Sequence, residues 1–227
     1  LRKTKRSPKL YSMNMKNCRN LLLAAAVLVA ASSCSDKVQV KVTLAGAPDT
    51  QVVVKQLSGS TLVTLDTLKT DASGAYSCKI DVLKGQPQFV YLFKGDTKIA
   101  SLLLQKGDKV KVASDTLGKY SVEGSEESEK LRQVEEDFAA FMDRFTADAA
   151  AGDNAAASKD YIDYYRSRTR YIMENSKSLT AIPVLYQKIN DGFPVFSQAT
   201  DAILFQNVHD SLMTVYPESK YLEALKK

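Results

Sequence analysis

The sequence contains no tryptophan, one histidine and only three cysteines among its 227 residues. Cys18, Cys34 and Cys78 are too widely spaced to form the C-x-x-C pair of redox proteins or a zinc-binding cysteine cluster. The single histidine, His209, has no H-E-x-x-H or similar spacing around it, and no G-x-S-x-G motif presents a nucleophilic serine. We therefore predict no catalytic constellation, no metal site and no cofactor.

The first 33 residues contain no acidic side chain and end in an apolar run, which is the pattern of a signal peptide. Their basic residues are Arg2, Lys3, Lys5, Arg6, Lys9, Lys16 and Arg19. The apolar run from Leu21 to Ala31 is much shorter than the roughly 20 residues that a membrane-spanning helix needs. Initiation at Met13 or Met15 would place residues 1–12 upstream of the true start. We expect residues 1–33 to be removed on export.

Three small residues, from Ala31 to Ser33, stand immediately before Cys34. This segment resembles the lipobox of bacterial lipoproteins, although the family more often has leucine at the position of Ala31. Ordinary signal cleavage after Ser33 is the alternative. Two or three acyl chains on Cys34 would give stable anchoring. We therefore expect a lipidated Cys34, a short tether over residues 34–37, and a location in the cell envelope. The outer membrane is favoured, at its periplasmic or surface face.

Removing the signal peptide reverses the sign of the net charge. The chain has 31 basic and 26 acidic residues, and seven of the basic ones lie in residues 1–33, so 24 remain against 26. Binding to nucleic acid needs a clustered basic face. We therefore expect no nucleic-acid partner, a membrane contacted through the N-terminal lipid, and another envelope protein as a further partner.

Residues 38–123 alternate between apolar and polar side chains and are interrupted by turn signals every eight to twelve residues. Alternation with this spacing is typical of an antiparallel β-domain with one buried face on each strand. We predict an antiparallel β-sandwich of about eight strands. Cys78 shares a strand face with Tyr76, Ile80 and Val82, so we interpret it as a core residue with a raised pKa.

Residues 124–227 change to helical periodicity, and the whole chain is therefore predicted to be α+β with four or five helices. Ser125 precedes a run of acidic residues and is expected to cap the first helix. The dense acidic run from Glu123 to Asp137 is interpreted as a solvated helix face. The further predicted helices run from about Ser158 to Ser176, from Ile182 to Asn190, and from Gln198 to Tyr216.

The order of these elements resembles a known family. The segments that carry the resemblance are the first strand with Gly46 and Asp49, Leu68–Tyr76, Leu104–Val112, Val122–Ser125 and Tyr216–Tyr221. They are similar to the N-terminal β-domain of unknown function and the helical linker of membrane-anchored thiol:disulfide interchange proteins and related thioredoxin-like lipoproteins. In those relatives a thioredoxin-like domain with a W-C-x-x-C motif follows the helices, and no such motif occurs in this chain.

The resemblance leaves two functions open. The leading expectation is a non-catalytic envelope lipoprotein that acts as a scaffold or recognition module. The alternative is a truncated or split thiol:disulfide oxidoreductase whose thioredoxin-like domain is missing from this chain. None of that family's catalytic residues has a counterpart here, so the resemblance assigns no catalytic residue.

A third function, glycan or peptide binding, depends on one face of the second predicted helix. Tyrosine and arginine are favoured at binding surfaces, and the helical spacing places several of them broadly on one side. Tyrosine also packs helices together with its hydroxyl at the rim, and we favour that interpretation. The candidate binding face consists of Tyr161, Tyr164, Tyr165, Arg168 and Tyr171.

Overall fold

A computed structural model of the chain describes residues 36–226, in which strands are followed by helices. Eight strands occupy the chain up to Glu123, and helices dominate from Glu126 onward, so the protein is α+β. The predicted signal peptide and the predicted lipid site at Cys34 lie outside the described residues. In the part of the chain that is described, no helix is long and apolar enough to cross a membrane.

Alternating side chains produce the strands of the β-domain. In β1 every second residue, from Val38 to Leu44, is buried and the others are exposed, as expected for a strand with one face on a core. The strands are β1 (Lys37–Leu44), β2 (Gln51–Ser58), β3 (Thr61–Lys69), β4 (Ala75–Asp81), β5 (Gln88–Lys94), β6 (Thr97–Leu104), β7 (Lys109–Ser114) and β8 (Tyr120–Glu123).

The eight strands form two four-stranded sheets that pack face to face as a sandwich. Sheet I has the order β4-β1-β7-β8 and sheet II the order β3-β2-β5-β6. Aliphatic side chains such as Val40, Val54, Leu92 and Val110 fill the space between the sheets and form the sandwich core. Five of the six strand pairings are antiparallel, but β1 and β7 pair in parallel. Sheet I is therefore mixed rather than purely antiparallel. Its two central strands, β1 and β7, run parallel, and each pairs in antiparallel with an edge strand.

The helical region begins at a well-formed cap. The hydroxyl of Ser125 accepts a hydrogen bond from the backbone N–H of Ser128, as predicted. Asp153 caps the second helix through the N–H of Ala156 at 2.9 Å, so that helix starts four residues earlier than predicted. The helices are α1 (Glu126–Ala150), α2 (Asn154–Glu174), α3 (Ala181–Leu185), α4 (Ala202–Met213) and a 3-10 helix (Lys220–Lys226).

The predicted helix from Ile182 to Asn190 is wrong beyond Leu185. Residues Lys188–Asn190 form strand β9, which pairs with β10 (Phe193–Pro194) across a tight turn. The side chain of Asn190 accepts a hydrogen bond from the N–H of Gly192 at 3.0 Å and stabilises that turn. The helix was predicted to continue to Asn190, but the turn between Asn190 and Gly192 pairs Lys188–Asn190 with β10 instead.

Helices cover the outer face of sheet II. Phe89 of β5 and Leu103 of β6 belong to the same buried cluster as Leu131 and Phe141 of α1, which we call the helical core. Strands β5 and β6 of sheet II are therefore buried on both faces, and from Asp36 onward the β-domain and the helices form one compact unit. An open groove lies at the junction between them.

Candidate functional site

A groove of about 550 Å³ opens at the junction of β5, α3 and the 3-10 helix. Its floor is formed by Phe89 and Tyr91 from the outer face of sheet II, and Leu57 at the end of β2 adds an apolar edge. Ile182 and Tyr186 stand on the helical side. Clefts of this size with apolar and aromatic walls and a few polar groups are typical of ligand sites.

Tyr221 of the 3-10 helix fixes this helix to the sheet. Its hydroxyl accepts a hydrogen bond from the backbone N–H of Phe89 at 3.0 Å and donates one to the carbonyl oxygen of Leu57 at 3.3 Å. The rings of Tyr221 and Phe89 meet edge to face with centroids 4.9 Å apart. The two walls of the groove are therefore held at a fixed separation.

Tyr186 forms an exposed aromatic wall of the groove. Its ring packs edge-on against Phe205 of α4 with centroids 5.6 Å apart, while 39% of the residue remains exposed. The Tyr186 hydroxyl donates a hydrogen bond to the carbonyl oxygen of Ala224. The side chain is thus oriented by contacts at its edge and at its hydroxyl, with the rest of the ring available to a ligand.

Burial keeps the tyrosine hydroxyls of the groove protonated at neutral pH, because it raises the pKa of each phenol. Burial raises the pKa of Tyr221 to about 12 and also raises the pKa of Tyr91. Burial lowers the pKa of Lys220, whose ammonium lies 5.3 Å from the centroid of the Tyr221 ring. Neutral phenols line the interior, and Lys220 and Glu223 supply charge at the rim. This chemistry suits an apolar or aromatic group that carries a polar end.

The candidate face on α2 is directed toward the helical core. Tyr164 is 6% exposed, its ring stacks on Phe141 with centroids 4.1 Å apart, and its hydroxyl donates to the side chain of Gln187 at 2.8 Å. The Tyr165 hydroxyl donates to the carboxylate of Asp201. These two side chains hold α2 against the rest of the helical region.

The other members of that face also have partners within the chain. The hydroxyl of Tyr161 lies 3.4 Å from the carbonyl oxygen of Val195, and that of Tyr171 lies 2.7 Å from the hydroxyl of Thr180. The guanidinium of Arg168 lies 2.9 Å from the carboxylate of Asp137 on α1. The structure therefore brings the five predicted residues together, but as a packing face rather than an open surface.

Cys78 lies in the sandwich core near the open side of the sheets. It is 8% exposed, and burial, aided by the carboxylate of Asp66, raises the pKa of its thiol to about 11. The thiolate is the nucleophilic form of cysteine. At neutral pH this thiol is therefore protonated and unreactive.

Alkylation of Cys78 by iodoacetamide should accelerate about tenfold for each pH unit between pH 8 and pH 10, because the thiolate fraction rises in that proportion below the pKa. The rate is measured by mass spectrometry of the peptide that contains Cys78 in the full chain. The same peptide in urea is the control and should react faster at pH 8. A rate that reaches its plateau below pH 9 would contradict the burial argument.

His209 and the acidic run of α1 both contact charged side chains of the same chain. The Nδ1 atom of His209 lies 3.0 Å from the carboxylate of Asp210. Acidic residues of α1 pair with basic ones on the same helix, as Glu127 does with Lys130 at 2.8 Å, and on neighbouring elements, as Asp137 does with Arg168 at 2.9 Å. Among residues 36–226, no group of three or more His, Cys, Asp or Glu side chains is arranged to hold a metal ion.

Sequence reasoning missed the groove because its aromatic residues are far apart in the chain. Tyr91, Tyr186 and Tyr221 come from a strand, a helix end and a 3-10 helix. Tyr221 lies in the Tyr216–Tyr221 segment noted in the sequence. Without the positions of Tyr91 and Tyr186, however, this tyrosine does not indicate a pocket. Comparison with protein-family models finds no family that matches this chain, and no curated protein matches it either.

Proposed function

We propose that this protein is a lipid-anchored, non-catalytic recognition module of the bacterial cell envelope, and that the groove beside Tyr186 is its binding site. The observation that carries the proposal is the groove itself, because its walls come from both regions of the fold. The ligand is expected to present an apolar or aromatic group to Tyr91 and Tyr221 and a polar end to Lys220.

The anchor is proposed from the sequence around Cys34, which resembles a lipobox. Only Ser35 and Asp36 separate Cys34 from the first strand at Lys37. So short a tether would keep the β-domain close to the lipid headgroups. The resemblance to the anchoring half of thiol:disulfide interchange proteins supports the same location, with the outer membrane favoured.

The groove lies at the end of the sandwich from which the tether leaves. The carbonyl oxygen of Asp36 accepts a hydrogen bond from the N–H of Val82 at 2.6 Å, and Gln86 in the following loop bonds to Glu218 at 3.2 Å. Glu218 lies two residues before the 3-10 helix that forms one wall. An anchored molecule would therefore present the groove near the membrane, which favours a ligand or partner that is itself at the membrane surface.

Replacement of the lipid site tests the location. Cys34→Ser should move the protein from the membrane fraction to the soluble fraction of the envelope and abolish labelling by radioactive palmitate. Cys18→Ser, within the predicted signal peptide, is the matched control and should change neither. Palmitate labelling that persists in Cys34→Ser would show that the anchor is elsewhere.

A further inference from the structure

The two edge strands of sheet II, β6 and β3, differ in how far the rest of the chain covers them. Strand β6 is covered: alternate carbonyl groups along it, at Ile99, Ser101 and Leu103, each accept a hydrogen bond from a side-chain hydroxyl. The donors are Ser114 at 2.7 Å, Tyr120 at 3.2 Å and Ser128 at 3.1 Å. These side chains and α1 occupy the place that a further strand would take.

Strand β3, at the opposite edge, has no such cover. Eight of its nine residues are exposed. Within residues 36–226, its main chain receives no side-chain hydrogen bond from another element; the N–H of Thr67 donates only to the neighbouring Asp66 carboxylate, at 2.8 Å. An edge strand directs alternate N–H and C=O groups away from its sheet, where they form a template for an added strand.

The exposed edge also carries apolar side chains. Leu62, Val63 and Leu65 are 43%, 48% and 42% exposed. The register with β2 shifts between Val54 and Lys55, which leaves Leu65 without an opposite residue, as in a β-bulge. The bulge re-aims Leu65 toward the opening between the two sheets.

A pocket of about 340 Å³ adjoins this edge, between β3 of sheet II and β4 of sheet I. Leu65, Val54 and Ile80 give it aliphatic walls, while Asp66 and Lys79 supply charge. Asp66 forms no ion pair with a basic side chain of the described chain. The pocket therefore offers an apolar cavity, beside an open strand edge, with a carboxylate that no described basic side chain contacts.

We propose that the β3 edge binds an extended polypeptide segment by strand addition, with an aliphatic side chain in the adjoining pocket and a basic side chain facing Asp66. In this mode of recognition, main-chain hydrogen bonds give affinity and pockets for alternate side chains give specificity. This site is separate from the aromatic groove and does not depend on the lipid anchor.

A second copy of the chain that set the two Leu65 bulges side by side would fit the same edge less well. In a two-fold antiparallel pairing centred on Leu65, the bulges of both strands would coincide and interrupt the ladder of hydrogen bonds. Such a pairing would also place Asp66 opposite Thr64 rather than a basic residue. Lys69, the one basic residue of β3, already lies 3.1 Å from Asp49. The chemistry of the pocket thus favours a basic-aliphatic segment of another polypeptide.

Fluorescence anisotropy of a labelled nine-residue peptide of alternating lysine and valine tests the proposal on the full chain. Saturable binding is expected to weaken at least about tenfold when alternate peptide nitrogens are methylated, because methylation removes the N–H donors without changing charge. A peptide with glutamate in place of lysine should also bind at least about tenfold more weakly.

Variants of the protein locate the site. Leu65→Lys and Asp66→Lys should each weaken binding at least about tenfold, whereas Leu117→Lys, at a distant position that is 84% exposed, should leave it unchanged. All three positions lie outside the core, and the methylated peptide provides a comparison that requires no variant.

Equal binding of the methylated peptide, unchanged binding to Leu65→Lys, or no binding at millimolar peptide would overturn the proposal. Self-association abolished by Leu65→Lys, without peptide binding, would also overturn it and identify a second copy as the occupant.

Discussion

Gly124→Ala should destabilise the protein by roughly 3 kcal/mol or more, because two separate penalties apply at this position. Gly124 has φ +81°, a left-handed conformation that side chains disfavour, and a Cβ there would lie 2.0 Å from the carbonyl oxygen of Lys109. That oxygen belongs to the start of β7 and cannot move without disturbing sheet I. Gly124 also directs the chain from β8 into α1, so the strain would fall on the junction of the two regions. Urea denaturation followed by circular dichroism measures the loss.

Gly152→Ala is the matched control, since it tests the backbone penalty without the collision. Gly152 has φ +74°, and a Cβ there would meet nothing within 4 Å. The left-handed conformation alone should cost about 1–2 kcal/mol. If the two variants lost equal stability, the close approach of Gly124 to β7 would have no energetic consequence and the account of the junction would be wrong.

Phe141→Ala should cost about 3–5 kcal/mol of the free energy of unfolding. Phe141 is fully buried in α1, stacks on Tyr164 of α2 with ring planes 9° apart, and lies 5.5 Å from the centroid of Phe145. Removing the ring leaves a cavity between the two longest helices and eliminates the stack. The measurement is again urea denaturation. The midpoint concentration of urea should fall, while the slope of the free energy of unfolding against urea concentration should stay constant.

Phe193→Ala makes the same chemical change at a residue that is 40% exposed and contacts Tyr161 at a centroid distance of 5.3 Å. Its cost should be less than about 1 kcal/mol, because little apolar area is lost from the interior. Comparable losses from the two variants would mean that α1 and α2 are not held together by the aromatic contacts described above.

The strands were predictable because one physical pattern determines them. Alternation in β1 reflects a buried face and a solvated face, so the sequence from Val38 to Leu44 shows it directly. The partner of β1 was not predictable in the same way. Its parallel pairing with β7 joins residues about seventy positions apart, and no local pattern encodes which distant strand lies beside it.

Strand β6 shows how a buried outer face alters the pattern. From Ile99 to Leu104 every residue is buried, and the run of leucines breaks the alternation expected of a strand with one wet face. Continuous apolar runs of this kind indicate burial on both faces. The covering elements, α1 with Leu131 and Phe141, occur later in the chain, so only the structure identifies them.

Tyrosines illustrate why function was harder to predict than fold. The helical spacing of Tyr161, Tyr164 and Tyr165 correctly placed them on one side of α2, but the sequence could not distinguish a packing face from an open one. Tyr186 and Tyr221 were not singled out in the sequence, although both line the groove. A site built from three distant segments exists only after the chain has folded.

The central claim, that the groove beside Tyr186 binds a ligand, is tested most directly by giving it a fluorescent reporter. Because the chain has no tryptophan, Tyr186→Trp would introduce a single tryptophan at the groove wall, whose emission can be excited separately from that of the tyrosines. The probe is an anilinonaphthalenesulfonate dye, whose rings suit the aromatic floor and whose sulfonate suits Lys220 at the rim.

In Tyr186→Trp protein, titration with the dye should quench the tryptophan emission and reach saturation. Adding Ala224→Glu, which places an anion at the exposed groove rim where it repels the sulfonate, should weaken the interaction at least about tenfold. Adding Ala140→Glu, on an exposed position of α1, should have no effect. Saturable quenching that only Ala224→Glu weakens is the result predicted for a binding groove. Quenching that does not saturate, or that is the same in both variants, would contradict it.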